Sequence, residues 1–528
     1  MNDIPDNIQI IIVGSGPIGL MTANLLGLYG VNTLLIEKNE GLYKLPRAIL
    51  LDDEGCRTLQ AVGLDRAYLP YALPSNGARY YGEDGNPFAE VGPGPVEFGF
   101  PRRTAIFQPL FEKTLLDGLN RFDHVKVCFS TELESFSQNS VYVTVTVRGP
   151  NNEKKNIVTS YLLGADGARS KVRQDLRIEM KGDSYPEDWL ILDTLNDPDT
   201  EPVSKFFCSS NKPYVSVPAP NGGRRYEFRA KPDEKTSDLL DLKNILNRLK
   251  PIRKIHKKDV LRAAVYTFEA KIAEKWQDKR VFLLGDAAHV TPPFAGQGMN
   301  AGLRDSHNLS WKLSLAVKGK CGNKLLSTYE EERRNPAWAM IQLAVAMGDI
   351  IMPQGESDIA FRTSLLQWMK RFPAARDFIT SMKFKPPPRY ERGAFVNLNS
   401  QTFSGSLVGQ MLPQSPVCYL NGSKVRLDDI IGSNFSILVQ DESLIGFVNE
   451  VKKQLWPELA IKIIAIGYNL VDSSDGVVRL NPIQDSTLMK IRSHRDQALL
   501  IRPDRYVAAS FDRSNLQDTI KTFQEFLL

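Results

Sequence analysis

The 528-residue chain is predicted to be α/β, with a βαβ-containing unit interrupted by a mixed-sheet lobe and followed by a separate α/β tail. Three observations predict it. A strand, a glycine-rich turn, a helix and a second strand follow one another at the N-terminus. Buried-strand patterns that end in glycine and aspartate return at residues 161–167 and 280–286. Three consecutive prolines interrupt the chain well before its end.

In the first element, Gln9 to Val13 (QIIIV) reads as a short buried strand that runs into Gly14-Ser15-Gly16-Pro17-Ile18-Gly19. A helical stretch from Leu20 to Leu28 and a strand from Asn32 to Ile36 complete a βαβ unit ending at Glu37. That context gives a GxGxxG match its meaning as a Rossmann-like dinucleotide site. Gly14 allows the tight turn, Gly16 lets a pyrophosphate approach the backbone, and Gly19 lets helix and strand pack closely. The N–H groups of the helix start then hold the phosphates, and Glu37 can accept hydrogen bonds from a ribose diol. The plainer alternative is a structural glycine-rich turn.

Thr144 to Val147 and Tyr161 to Gly167 suggest strands returning to the first unit, with a helix entered from Ala168 to Arg173. Asp166 is either a ligand contact or a helix N-cap. Residues 176–275 alternate short strands with turns, as in Tyr214 to Val217 and Arg225 to Arg229. Arg280 to Leu284 is another buried strand, leading into Gly285-Asp286-Ala287-Ala288-His289. Gly296 to Asn300 then opens a helix that runs through Trp311 to Val317. Lys385 to Arg389 (KPPPR) is a linker, because consecutive prolines cannot continue a helix. Beyond it, strands at Ser436 to Val439, Lys462 to Ile466 and Ala498 to Ile501 mark the tail, residues 395–528.

Composition narrows the function. Sixty-six basic and 61 acidic residues leave a net charge of only +5, too balanced for nucleic acid as the main partner. The basic stretch Lys250 to Lys258 reads as a solvated face. Five cysteines without a CxxC pair support neither a disulfide framework nor a zinc site, and five histidines show no ligand spacing, so no metal is expected. No apolar run reaches about 18 residues and the N-terminus lacks a signal-peptide pattern, so a cytoplasmic protein with no membrane partner is expected.

Three separated motifs occur together in order: GSGPIG with Glu37, LLGADGARS around Asp166, and VFLLGDAAHVTPPFAGQGMNAGLRDSHNLSWKL from Val281 to Leu313. Together they resemble the single-component flavoprotein aromatic hydroxylases, the class of para-hydroxybenzoate hydroxylase and phenol hydroxylase. LPRAILLDDEGCRTLQAVGL, EFGFPRRTAIFQP, KPYVSVPAPNGGRRYEF and IRPDRYVAAS resemble the branch acting on 3-(3-hydroxyphenyl)propionate. The resemblance implies an FAD-binding domain of the para-hydroxybenzoate hydroxylase type with an inserted mixed-sheet substrate domain and a thioredoxin-like C-terminal domain. The expected divisions are an FAD-binding part at 1–175, with 76–102 on the substrate side, a substrate domain at 176–275, a second FAD-binding and helical part at 276–385, and the tail at 395–528. Without CxxC the tail is expected to serve packing or a homodimer interface rather than redox chemistry.

By the same resemblance, FAD is held by Gly14, Gly16, Gly19, Glu37, Lys38, Arg47, Gln108, Asp166, Gly285, Asp286, Pro293, Gly296, Gly298, Met299 and Asn300. Asp286 would bind the ribityl chain, and the helix start at Gly298 would face the flavin's pyrimidine edge. The implied reaction takes electrons from NADH or NADPH and one oxygen atom from O2, and hydroxylates a phenolic acid ortho to its hydroxyl. 3-(3-Hydroxyphenyl)propionate and 3-hydroxycinnamate are the leading substrates. No second GxGxxG appears, so the nicotinamide would dock transiently. Arg225 is the candidate reader of a substrate carboxylate and Tyr214 a candidate pocket wall, against a solvent face or core position for each. His289 either assists proton transfer or is a packed structural residue. The segment from Phe294 to Asn300 departs from the family pattern, which leaves the exact substrate open; hydroxylation of another phenol or of a polycyclic aromatic is one alternative, and a non-catalytic flavin-binding protein is the other.

Overall fold

The computed structural model describes residues 4–527 except 211, 354, 381–382, 384, 399–404, 456–458 and 490. Its first sheet runs, in order, through Gln277–Asp278, Val281–Leu283, Lys154–Gly164, Asn7–Val13, Thr33–Ile36 and Val125–Cys128. The five strands from Val281–Leu283 to Val125–Cys128 pair in parallel. Ile10, Ile11 and Ile12 have no exposed surface, the pattern of a parallel strand covered on both faces. The helix after the glycine turn is Pro17–Leu28; it starts at the proline, whose fixed φ suits the first helical position. A meander of Glu132–Gln138 and Val143–Arg148 folds against Lys154–Gly164.

A second, mixed sheet of eight strands has the order His289–Val290, Val260–Ala273, Met180–Thr194, Arg224–Arg229, Tyr214–Pro218, Ser204–Phe207, Ala78–Tyr81 and Pro87–Val91. Its outer pair therefore comes from far upstream, joined by the parallel pairing of Ser204–Phe207 with Ala78–Tyr81. A short sheet, Leu50–Asp52, Arg103–Ala105 and Leu73–Pro74, lies beside it in sequence. The 20-residue helix Gly298–Val317 packs on Pro17–Leu28 and on the longer Asn323–Ile351, which also touches Val260–Ala273 of the mixed sheet.

The tail forms a seven-stranded sheet around Ser436–Val439. Ser436–Val439, the helix Leu444–Leu455 and Lys462–Ile466 make a parallel βαβ unit, followed by the antiparallel pair Ala498–Ile501 and Val507–Phe511 and the helix Leu516–Leu527. That succession, with the first strand central, is the thioredoxin-like plan. Buried ion pairs fasten the tail to the rest of the chain. Arg502 donates to both oxygens of Glu332 at 2.9 and 2.7 Å, Lys312 donates to the same carboxylate at 2.9 Å, and Arg57 grips Asp428 at 2.5 and 2.7 Å. No single helix among the described residues is long and apolar enough to cross a membrane.

Candidate functional site

The carboxyl ends of Asn7–Val13, Thr33–Ile36, Lys154–Gly164 and Val281–Leu283 open on one cavity of about 590 Å³, the place where an open parallel sheet presents its loops to a ligand. The strand ends are locked in register by Gly14 N to Ile36 O (2.8 Å), Ala165 N to Val13 O (2.9 Å) and Leu284 N to Gly164 O (2.9 Å).

The three glycines of the first turn have distinct roles. Gly14 has φ +104°, and a Cβ there would lie 2.5 Å from Ala165 O. A Cβ on Gly19 would lie 1.9 Å from Gly14 O, so the helix can pack on the turn only without one. A Cβ on Gly16 would meet nothing within 4 Å: this glycine faces open cavity, as a backbone that receives a phosphate should. Gly298, at the start of the long helix, is open in the same way. Neither helix start is capped by a side chain, so both present free N–H groups and a positive dipole end to the cavity.

Glu37 lies at the cavity wall with Oε2 accepting from Ser15 N (2.9 Å) and Ser15 Oγ (3.1 Å), which fixes the carboxylate beside the glycine turn. Lys38 lines the rim and is exposed. Gln108 is buried and accepts from Arg47 N (3.0 Å) and Ala48 N (2.5 Å), so it shapes the segment that carries Arg47. The Arg47 guanidinium sits over the Tyr43 ring at 4.2 Å and lines the cavity. Asp166 accepts from Val172 N (3.1 Å), while Ser170, not Asp166, caps the following helix. The other Asp166 oxygen has no partner among the described residues, and burial pushes this carboxyl up. Gly285 adopts φ +58° against Ile18, turning Asp286 into the cavity, where crowding by protein raises its carboxyl against the charges of His289 and Arg47. Pro293, Gly296 and Met299 complete this wall. An unpartnered carboxylate oxygen, two bare helix starts and two glycines open to the cavity fit a dinucleotide cofactor.

Three sequence-predicted residues are corrected. His289 is fully buried, stacked on Trp276 at 5.0 Å and bonded through Nε2 to Asp305 Oδ2 at 2.7 Å; it does not line the cavity. Tyr214 faces away, stacked on Phe207 and Phe228, because on an alternating strand it is Val215 and Val217 that reach the cavity. Arg225 lines the cavity but its guanidinium is spent: it pairs with Asp193 at 2.7 and 3.0 Å and donates to the carbonyls of Arg47 (2.5 Å) and Pro46 (3.3 Å). The side chain of Asn300 lies behind the wall, joining the helix start to Leu50 O (3.1 Å) and Asp52 N (3.0 Å), so any cofactor contact by this residue falls to its backbone N–H.

Two residues escaped the sequence reading. Glu227 shares its cavity-facing side of the strand with Arg225, is 6% exposed, and has no hydrogen bond among the described residues. Burial pushes its carboxyl up, against the charge of Arg225. Arg103 reaches the cavity from the short sheet. The spacing of Glu227 two residues from Arg225 was the available signal for the first; Arg103 stood inside EFGFPRRTAIFQP without a local pattern to distinguish it.

Fold and cavity together define a protein that binds a dinucleotide cofactor beside a chamber walled by Phe206, Val215, Val217 and Phe294 and by the charged Arg103, Arg225 and Glu227. Residues 7–344 match the family described as FAD binding domain, and 409–526 that described as HcaD C-terminal domain. The chain is 36% identical over 508 residues to a 3-(3-hydroxy-phenyl)propionate/3-hydroxycinnamic acid hydroxylase of Klebsiella pneumoniae, covering 95% of this chain and 91% of that one. It is 36% identical over 520 residues to the protein of the same description in Escherichia coli O81, covering 97% and 94%. Among solved structures, the flavin-dependent monooxygenase PieE in complex with FAD and substrate superposes with a TM-score of 0.81 at 21% identity, covering 99% of both chains. A ternary complex of aklavinone-11 hydroxylase with FAD and aklavinone gives 0.77 at 21% identity, covering 99% of this chain and 100% of the other. The chain belongs to the family of FAD-dependent aromatic hydroxylases.

Proposed function

We propose that this enzyme hydroxylates 3-(3-hydroxyphenyl)propionate and 3-hydroxycinnamate ortho to the phenol, giving the 2,3-dihydroxy acids, with NADH or NADPH as electron donor and O2 as oxidant. The observation that carries this reading is the near-full-length similarity, tail included, to hydroxylases described by those substrates.

FAD, when bound, supplies the electron transfer and oxygen activation that side chains cannot provide. Glu37, Arg47, Asp166, Asp286 and the helix starts at Gly16 and Gly298 would hold it. The remaining work belongs to the chain. Phe206, Val215, Val217 and Phe294 form an apolar wall that positions an aromatic ring and excludes water. Glu227 accepts the phenol proton at a carboxylate oxygen, which enriches the ortho and para ring carbons in electrons. Its raised pKa brings it closer to the phenol's value of about 10, so the transfer is less uphill.

A phenol panel tests the substrate. NADH oxidation, catechol formation and hydrogen peroxide release are followed together for the two acids, simple phenols and a polycyclic phenol. Tightly coupled turnover of the acids alone supports the reading; coupled turnover of the polycyclic phenol and none of the acids would replace it.

A further inference from the structure

The strand Arg103–Ala105 is the middle of the short three-stranded sheet, between Leu50–Asp52 and Leu73–Pro74. Arg103 faces the cavity there, in a wall shared with Leu50, Phe206 and Phe294. Its guanidinium has no hydrogen bond or ion pair among the described residues. The carboxylate opposite it in register, Asp52, is already bonded to Arg304, Lys385 Nζ (3.1 Å) and Gly55 N (2.8 Å). Burial lowers the pKa of Arg103, against the charge of Asp52, yet an arginine in a protein remains charged. Arg103 is half-buried and opens on the cavity, so its cation has no protein partner there and an anion entering the cavity would relieve the cost of keeping it partly desolvated.

The placement of charge separates this residue from the cofactor cations. Lys38 and Arg169 line the cavity at the ends of the parallel-sheet strands, next in sequence to Glu37 and near Asp166, and Arg47, stacked on Tyr43, acts on Glu112 and Asp286. Arg103 is grouped instead with Tyr80, which stacks on Phe206 at 4.7 Å in the mixed sheet. The groups that act on Glu227 are Arg225 and Asp193, so the candidate phenol partner and this free cation have different electrostatic neighbours.

We propose that Arg103 pairs with the carboxylate of the substrate's side chain and thereby makes the enzyme selective for phenols bearing a short acid. This assignment rests on the substrate reading above and gives to Arg103 the part that Arg225, tied to Asp193, cannot play. A guanidinium offers a carboxylate two parallel N–H donors, which fixes the direction of the acid arm as well as its presence.

The test uses FAD-loaded enzyme and compares 3-(3-hydroxyphenyl)propionate with its neutral amide, with Kd read from the change in flavin absorbance. Wild type should bind the acid about tenfold to hundredfold more tightly, the range of a charged hydrogen bond. Arg103→Gln should abolish that preference by weakening the acid alone, and Arg103→Lys, which keeps the charge but loses the fork, should retain part of it. The lysine variant carries the test if the glutamine variant does not fold. A preference unchanged in the variants would overturn the assignment while leaving the substrate reading intact. Loss of FAD affinity with the acid preference preserved would also overturn it, by placing Arg103 on the cofactor. A wild type that binds acid and amide equally would overturn both.

Discussion

His289 Nε2 and Asp305 Oδ2 lie 2.7 Å apart with neither side chain exposed, directly behind the turn that presents Asp286 to the cavity. Asp305 also accepts from Gly285 N at 3.1 Å and from Arg333 Nε at 2.9 Å. Burial alone would raise the Asp305 carboxyl, but the Arg333 guanidinium and the hydrogen bond to His289 hold it below its usual value. The pair therefore holds the Gly285–Asp286 turn in shape. His289→Gln should speed FAD loss and lower stability by about 1.5–3 kcal/mol, the worth of a hydrogen bond to a charged group. The pH dependence of the FAD-loaded variant should match wild type; a vanished limb would return His289 to proton transfer.

Gly16 and Gly19 should respond oppositely to one added methyl. Gly16→Ala places it in open cavity, so the fold should survive with an unchanged melting temperature of apoprotein while FAD binding fails. Gly19→Ala drives it to within 1.9 Å of Gly14 O and should cost about 3 kcal/mol or more in folding stability. Equal FAD affinity in Gly16→Ala and wild type would remove the phosphate role from this turn.

Glu227→Gln keeps the shape of the carboxyl and removes its ability to take a proton. Because burial raises this carboxyl above 4.5, wild-type turnover should rise with pH through a limb lying above that value. The variant should lack the limb and turn over about 10²–10⁴-fold more slowly, the usual worth of general base catalysis. A pH profile of kcat/KM with the limb intact in the variant would exclude Glu227.

The sequence made the first βαβ unit and the tail strands legible because their cues are local: Ser436–Val439, Lys462–Ile466 and Ala498–Ile501 form with the expected bounds. The cofactor wall was legible for the same reason, since Gly14 to Gly19 and Gly285-Asp286 are contiguous motifs. The substrate chamber was not. Arg225 looked free until the fold set Asp193 opposite it, and Arg103 is distinguished only by the partners it lacks. The 78–91 hairpin that extends the mixed sheet depends on a pairing more than a hundred residues away in sequence, which no local pattern encodes.

Glu332 should make stability depend on acid pH. Burial would raise its carboxyl, but Arg502 and Lys312 hold it at about 2, below the ordinary 4.5. A depressed carboxyl contributes its full stability above pH 4.5 and loses it as pH falls toward 2. Glu332→Gln should therefore be destabilised by about 3 kcal/mol at pH 7, with the difference from wild type shrinking below pH 4.5. Chemical denaturation across pH 2.5–7 checks this; a gap that widens in acid would have the wrong sign.

The most direct test of the central claim is turnover of 3-(3-hydroxyphenyl)propionate by the FAD-loaded enzyme under ¹⁸O₂ with NADH, followed by mass spectrometry of the product. The account predicts the 2,3-dihydroxy acid carrying one ¹⁸O atom, formed in step with NADH consumed. Unlabelled catechol, or NADH oxidation that yields only hydrogen peroxide and is indifferent to the phenol, would contradict it.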